Sequence, residues 1–186
     1  MAIQMGLLKI INKLKFIFNR ESELEYVQRK FDEYNKLYFN GELPSIPLKI
    51  DNTLGDVWGR FESLTDIREN TWTPVQILLN MQNLREETVL RNVFVHEMVH
   101  YWDCVNNQPT KEQWEEANKI KNRFYPVLLE NAGNKFIWIG FWQTIHSVLD
   151  LHFEDDHSPK FKEKCHELNE KFLELHLSEQ IGGPRL

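Results

Sequence analysis

The segment HEMVH places two imidazoles four residues apart, His96 and His100, with a carboxylate, Glu97, directly after the first. Helix positions four apart lie one turn apart on the same face, so both imidazoles can point at one spot, as tetrahedral Zn2+ coordination requires. Glu97 is rotated about 100° from His96 by helix geometry. That keeps it off the ligand positions yet near enough to take a proton from water at the metal. Zinc lowers the pKa of such water toward about 7 and polarises a carbonyl, while a carboxylate relays the proton to the leaving group. The chemistry is hydrolysis, with Glu97 as general base. A chain with 7 His and 20 Glu would show this pattern by chance about once in 40 such sequences, so its surroundings decide its meaning.

Catalytic zinc usually takes three protein ligands and leaves the fourth position to water. Downstream candidates for the third are His146, His152, His157, His166, Glu154, Asp155 and Asp156. His146 and His152 sit in an apolar stretch where core packing is the commoner role. His157 stands immediately before a helix cap, a fixed position from which an imidazole can reach across a cleft. Asp103 follows His96 by seven residues, on nearly the same helix face. It can receive an imidazole N–H as an outer partner of the metal, and it fits equally well as a solvated or backbone-bonded acid.

The elements that must position these groups are legible in outline. Leu24, Val27, Phe31, Tyr34 and Tyr38 recur at helical spacing, predicting a helix over 22–39 that Asn40, Gly41 and Pro44 end. Strands are predicted at 46–50, 57–61 and 75–79, separated by Gly, Asn, Asp and Pro. Asn83 followed by Glu86 reads as a capping box opening a helix over 84–105, with HEMVH at its centre. Val89, Val93, Phe94, Met98 and Trp102 lie all around that helix, so it should be buried. There, two His and a Glu without partners would each cost several kcal/mol. More helix is predicted over 111–150, aromatic from Phe136 to Trp142. Ser158 and Pro159 form a cap and first turn for a last helix carrying Phe161, Cys165, Leu168, Phe172 and Leu175.

A chain of 186 residues fits one domain, and its 41% hydrophobic content is that of a folded protein. Cys104 and Cys165 are too few for a disulfide framework or a paired-cysteine zinc knuckle, which points to a reducing, cytoplasmic setting. No apolar run approaches the roughly 20 residues a membrane span needs, and lysines interrupt the apolar N-terminus, so neither a transmembrane segment nor a secretory signal is expected. Residues 1–20 carry Lys9, Lys13, Lys15 and Arg20 with no acid, against a chain total of −6. They read as a basic amphipathic helix, either packed on the domain or docking on a partner or membrane surface. The remaining body is acidic, which argues against strong DNA binding by it. Residues 182–186 read as a frayed tail.

Three blocks give the chain a family resemblance: LYFNGELPSIPLKI, VFVHEMVHYWD and DHSPKFKEKCHELN. In this order, with VQILLN before the second, they resemble the SprT-like zinc metalloproteases, the family that includes the Spartan-type enzymes acting on DNA-protein crosslinks. The resemblance implies an α+β, zincin-like domain over 21–181, mainly helical, with a small sheet of about three strands beside the HExxH helix. It implies one catalytic Zn2+ held by His96, His100 and His157, Glu97 as the acid/base, and a protein or peptide substrate extended in a cleft beside the sheet. Three features depart from the family pattern. The gap from His100 to His157 is long and filled by 111–150, which reads as an insertion forming either a lid or added core. The two cysteines supply no zinc ribbon, and the acidic body lacks a basic DNA-binding extension. Beside the metallopeptidase stand two other readings: a catalytically silent zincin scaffold acting as an adaptor, and a nucleic-acid-associated protein docking through residues 1–20.

Overall fold

The computed structural model describes residues 22–151 and 157–178. The expected helix 1–20 and tail 182–186 lie outside the described residues.

Helix α1 (Glu23–Tyr38) opens on a reciprocal cap in which the Ser22 hydroxyl accepts the Glu25 N–H and the Glu25 carboxylate accepts the Ser22 N–H. Val27, Phe31, Tyr34 and Tyr38 form its buried stripe. The helix stops where Asn40 and Gly41 take positive φ. Asn35 then ties the exit loop back by bonding both the N–H and the carbonyl of Leu43.

Three strands follow: β1 (Leu48–Ile50), β2 (Gly59–Asp66) and β3 (Thr71–Leu79). Their order is β1-β3-β2, with β1 parallel and β2 antiparallel to β3. The sheet is therefore small and mixed, and β2 is one of its edges. Two strands are longer than predicted because β2 and β3 form a hairpin. Asp66 closes its turn by accepting the N–H groups of Arg68 and Glu69, and Asn70 supplies a positive φ. A register shift between Glu62 and Ser63 interrupts the ladder near Pro74, which has no N–H to donate.

Helix α2 (Glu87–Asn106) carries HEMVH and is buried on most sides, as the apolar residues around it require. Its start corrects the expected capping box. The N-cap is Glu86, with no side-chain cap bond, and the Asn83 amide instead donates to the Gly55 carbonyl. Asn80 grips the same carbonyl, so the stretch before α2 serves to hold the 51–58 loop.

Helices α3 (Lys111–Glu130) and α4 (Lys135–Val148) fill the predicted helical stretch, and α5 (Pro159–Lys171) begins at Ser158 and Pro159 as the sequence indicates. The main core packs α1, α2, α5 and the inner face of the sheet around Phe31, Ile77, Phe94, Met98 and Phe161. A second apolar cluster gathers Trp114, Ala117, Leu128, Phe141 and Ile145 of α3 and α4 against Ile67, Trp72 and Cys104. The aromatic segment thus enlarges the core at the tip of the hairpin. The cysteines belong to different clusters and do not pair in a disulfide. Mainly helical with a three-stranded mixed sheet, the chain has the α+β, zincin-like architecture expected of it. Among the described residues no helix is long and apolar enough to cross a membrane.

Candidate metal centre

Helix periodicity brings His96 and His100 to one stripe of α2, with ring centroids 5.0 Å apart. The third imidazole arrives from far along the chain. His157 lies one residue before the Ser158 cap of α5, and its ring sits 5.1 Å from that of His96 and 5.0 Å from that of His100. One nitrogen from each of the three lies within 4.8 Å of the others, so the trio can hold a metal ion. Tetrahedral Zn–N bonds of about 2.0–2.1 Å put ligand nitrogens about 3.3 Å apart, a spacing that small side-chain rotations reach from here. His100 and His157 are each 8% exposed and His96 is partly exposed, so the cluster opens to solvent on the His96 side.

Phe161, one turn into α5, is the floor of the cluster. Its fully buried ring stacks on His100 at 4.1 Å and His157 at 4.2 Å and meets His96 edge-on at 5.0 Å. Phe61 of β2 lies parallel to His100 at 6.4 Å. All three imidazoles thus pack on Phe161, and His100 also meets a ring from the sheet, which limits their rotation.

Glu97 faces the start of β2. Its Oε2 accepts the Phe61 backbone N–H at 2.7 Å, and burial pushes its carboxyl up to about 8, against the lowering effects of that hydrogen bond and of Arg60. Gly59 makes this approach possible. A Cβ there would stand 2.8 Å from Val93 Cγ1, 2.9 Å from Glu97 Cγ and 3.0 Å from Glu97 Oε1, so the strand start packs on α2 at a distance only glycine permits.

Asp103 is 2% exposed and takes its hydrogen bonds from partners the sequence did not name: Ser158 Oγ at 2.7 Å and Asn107 Nδ2 at 2.6 Å. Burial raises its carboxyl while those two bonds lower it, and the net direction is upward. Of the other candidate ligands, His146 meets Trp142 edge-on within α4, and His166 pairs with Glu170 on the exposed side of α5. His152, Glu154, Asp155 and Asp156 lie outside the described residues. Gly59 and Phe61 escaped the sequence reading because their part in the site is a packing relation across more than thirty residues, which no local pattern records.

Searches of curated proteins and of solved structures found no match. The model of the SprT-like family matches residues 27–124. That match runs from α1 through the sheet and all of α2, HEMVH included, and ends within α3 ahead of His157. With more than half of its length matched, and with the sheet and HExxH helix arranged as described, the chain belongs to the SprT-like family.

Proposed function

We propose that the protein is a zinc-dependent metallopeptidase in which His96, His100 and His157 hold the ion and Glu97 moves the proton. The observation that carries this reading is the convergence of three imidazoles with a buried carboxylate at the residue after the first. Three imidazole donors and an open side are the donor set of catalytic zinc, whereas structural zinc is closed by four protein ligands. A zinc ion held there supplies Lewis acidity, which brings the ionisation of water near neutral pH and polarises a substrate carbonyl.

The protein's own residues do the rest. Glu97 accepts a proton at its carboxylate and hands it to the departing amine. Burial raises the proton affinity of Glu97, and a dication at the three imidazoles would favour the charged carboxylate that accepts the proton. The bond from the Phe61 N–H holds one oxygen of Glu97 and so fixes the plane of the carboxylate. Phe161 keeps the imidazoles from swinging away, with Phe61 beside His100. An extended peptide added along the outer edge of β2 would lie beside Glu97 and His100, because β2 is the sheet edge that packs there. Backbone pairing of this kind reads no particular sequence, so unfolded or flexible protein segments are the substrate class.

The test pairs metal analysis with turnover. Gently purified protein should hold one zinc, and Glu97→Gln should retain it while cleavage of an unfolded protein falls about 10²- to 10⁴-fold. His157→Ala should lose zinc. Metal-free wild type, or Glu97→Gln as active as wild type, refutes the reading. Bound metal without cleavage across a broad peptide panel would favour an adaptor built on the same scaffold.

A further inference from the structure

Residue 157 reaches the cluster from a different element than the other two imidazoles. His96 and His100 are fixed to each other by the backbone of a buried helix, whereas His157 sits outside α5, with Pro159 as the first helical residue after the cap. Its position relative to α2 depends on how the end of α5 is fastened to α2. A buried hydrogen bond joins them directly. Ser158 Oγ donates to Asp103 Oδ2 at 2.7 Å while accepting the Phe161 N–H at 3.0 Å. The same hydroxyl therefore caps α5 and ties that cap to α2.

Asp103 is well placed for this. Seven residues after His96 and three after His100, it lies on the stripe of α2 that presents both imidazoles. Its other oxygen is occupied by Asn107 one turn on, which orients the carboxylate toward α5. Ser158 and His157 are both under a tenth exposed, so water competes poorly for the bond. A hydrogen bond to a charged acceptor in such surroundings is shorter and stronger than a neutral one.

We propose that Asp103 is a positioning residue that sets the third imidazole of the metal centre, acting through the Ser158 cap on His157. This rests on the reading of His96, His100 and His157 as the metal ligands. It differs from a general stabilising bond in what it predicts: loosening the tie lowers metal affinity in molecules that are still folded.

The experiment reverses the polarity of the bond. Ser158→Asp keeps a good N-cap for α5 but replaces the donor with an acceptor facing Asp103. Asp103→Asn added to it restores a donor, now on α2. Zinc affinity is measured by competition with a chromophoric chelator, Co2+ loading by the absorption bands of a tetrahedral site, and metal-free stability by urea unfolding. Ser158→Asp should weaken zinc about 10- to 100-fold and distort the Co2+ spectrum, as loss of outer partners does elsewhere, and the double variant should recover most of both. Ser158→Gly, which preserves capping nearly as well and removes the hydroxyl, should weaken zinc as well and serves if the first variant does not fold. Unchanged zinc affinity in a folded single variant, or loss in the double variant equal to that in Ser158→Asp, overturns the proposal. Wild type that binds no zinc instead overturns the ligand assignment itself, so the two failures are distinguishable.

Discussion

Replacing Gly59 by alanine tests the site at a contact that no motif marks. The added Cβ would lie 2.8 Å from Val93 Cγ1 and 2.9 Å from Glu97 Cγ. Carbon atoms pack comfortably at about 3.5–4.0 Å, so something must move by roughly 0.7–1 Å. Val93 is 5% exposed and β-branched, which leaves it little freedom at χ1. The yielding parts are therefore Glu97 and the start of β2, and moving either strains the bond from the Phe61 N–H to Glu97 Oε2. Overpacking of this kind costs about 1–3 kcal/mol. In a protein of this length each kcal/mol shifts Tm by about 2–4 °C, giving a fall of roughly 2–12 °C. Displacing a general base by about 1 Å lowers turnover by about 10²-fold. The atoms nearest the added Cβ belong to Val93 and Glu97 and not to His96 or His100, so zinc content should stay near wild-type level. Thermal melts, metal analysis and cleavage of an unfolded protein read the three effects separately. Gly59→Ala with wild-type Tm and wild-type turnover would refute the packing argument, and loss of zinc with normal Tm would place the strain on the histidines instead.

Other expectations follow from the same geometry. The metal-free protein should lose stability as pH rises. Glu97 is pushed from 4.5 to about 8 in the folded state, so between those values the native protein keeps a proton that the unfolded chain releases. The stabilisation is complete below about pH 4.5 and gone above about pH 8, a change of at most about 5 kcal/mol, and Asp103 shifts in the same direction. Urea midpoints from pH 5.5 to 8.5 should show wild type falling relative to Glu97→Gln, and a constant difference between the two would contradict the burial argument. Saturating zinc should flatten this slope, because a nearby dication favours the charged carboxylate. Zinc at 100 times its dissociation constant should also stabilise the fold by about 2.7 kcal/mol, read as a rise in Tm that His157→Ala abolishes. Ile145→Ala removes a fully buried side chain from the second cluster. It should cost about 2–5 kcal/mol while leaving zinc affinity of the folded protein unchanged; a parallel loss of affinity would mean that the two clusters are coupled.

What the sequence revealed and what it hid divide along the range of the interactions. His96, Glu97 and His100 were legible because helix geometry alone relates residues one and four apart. Ser158 and Pro159 marked the start of α5 for a similarly local reason, and the structure has both in those roles. The pattern Asn83 to Glu86 was equally local and misled. The carbonyl of Gly55 satisfies the Asn83 amide, and a cap pattern carries no information about a competing partner 28 residues upstream. The extra length of β2 and β3 was hidden because Leu64 breaks the alternation by facing solvent and Pro74, a residue that argues against a strand, falls inside β3. Gly59, Phe61 and the Asp103 to Ser158 bond belong to the same class, since each is defined only when two distant segments meet.

The architecture also explains why those distant meetings cluster at the histidines. α2 alone can present two imidazoles but cannot converge a third on the same point, because the next position on its stripe lies another turn away along the axis. The third imidazole must come from another element, and that element must be pressed against α2 by apolar contact and fixed by polar contact. Phe161, Cys165 and Leu168 supply the first, packed into the main core with Val95, Met98 and Val99. Asp103 and Ser158 supply the second. On the opposite flank the edge strand approaches α2 through Gly59 and holds Glu97 through Phe61. Glu97 and the third imidazole are thus positioned by two different elements packed on one helix. A perturbation on the β2 side should therefore act on turnover before metal affinity, and one on the α5 side on metal affinity before anything else.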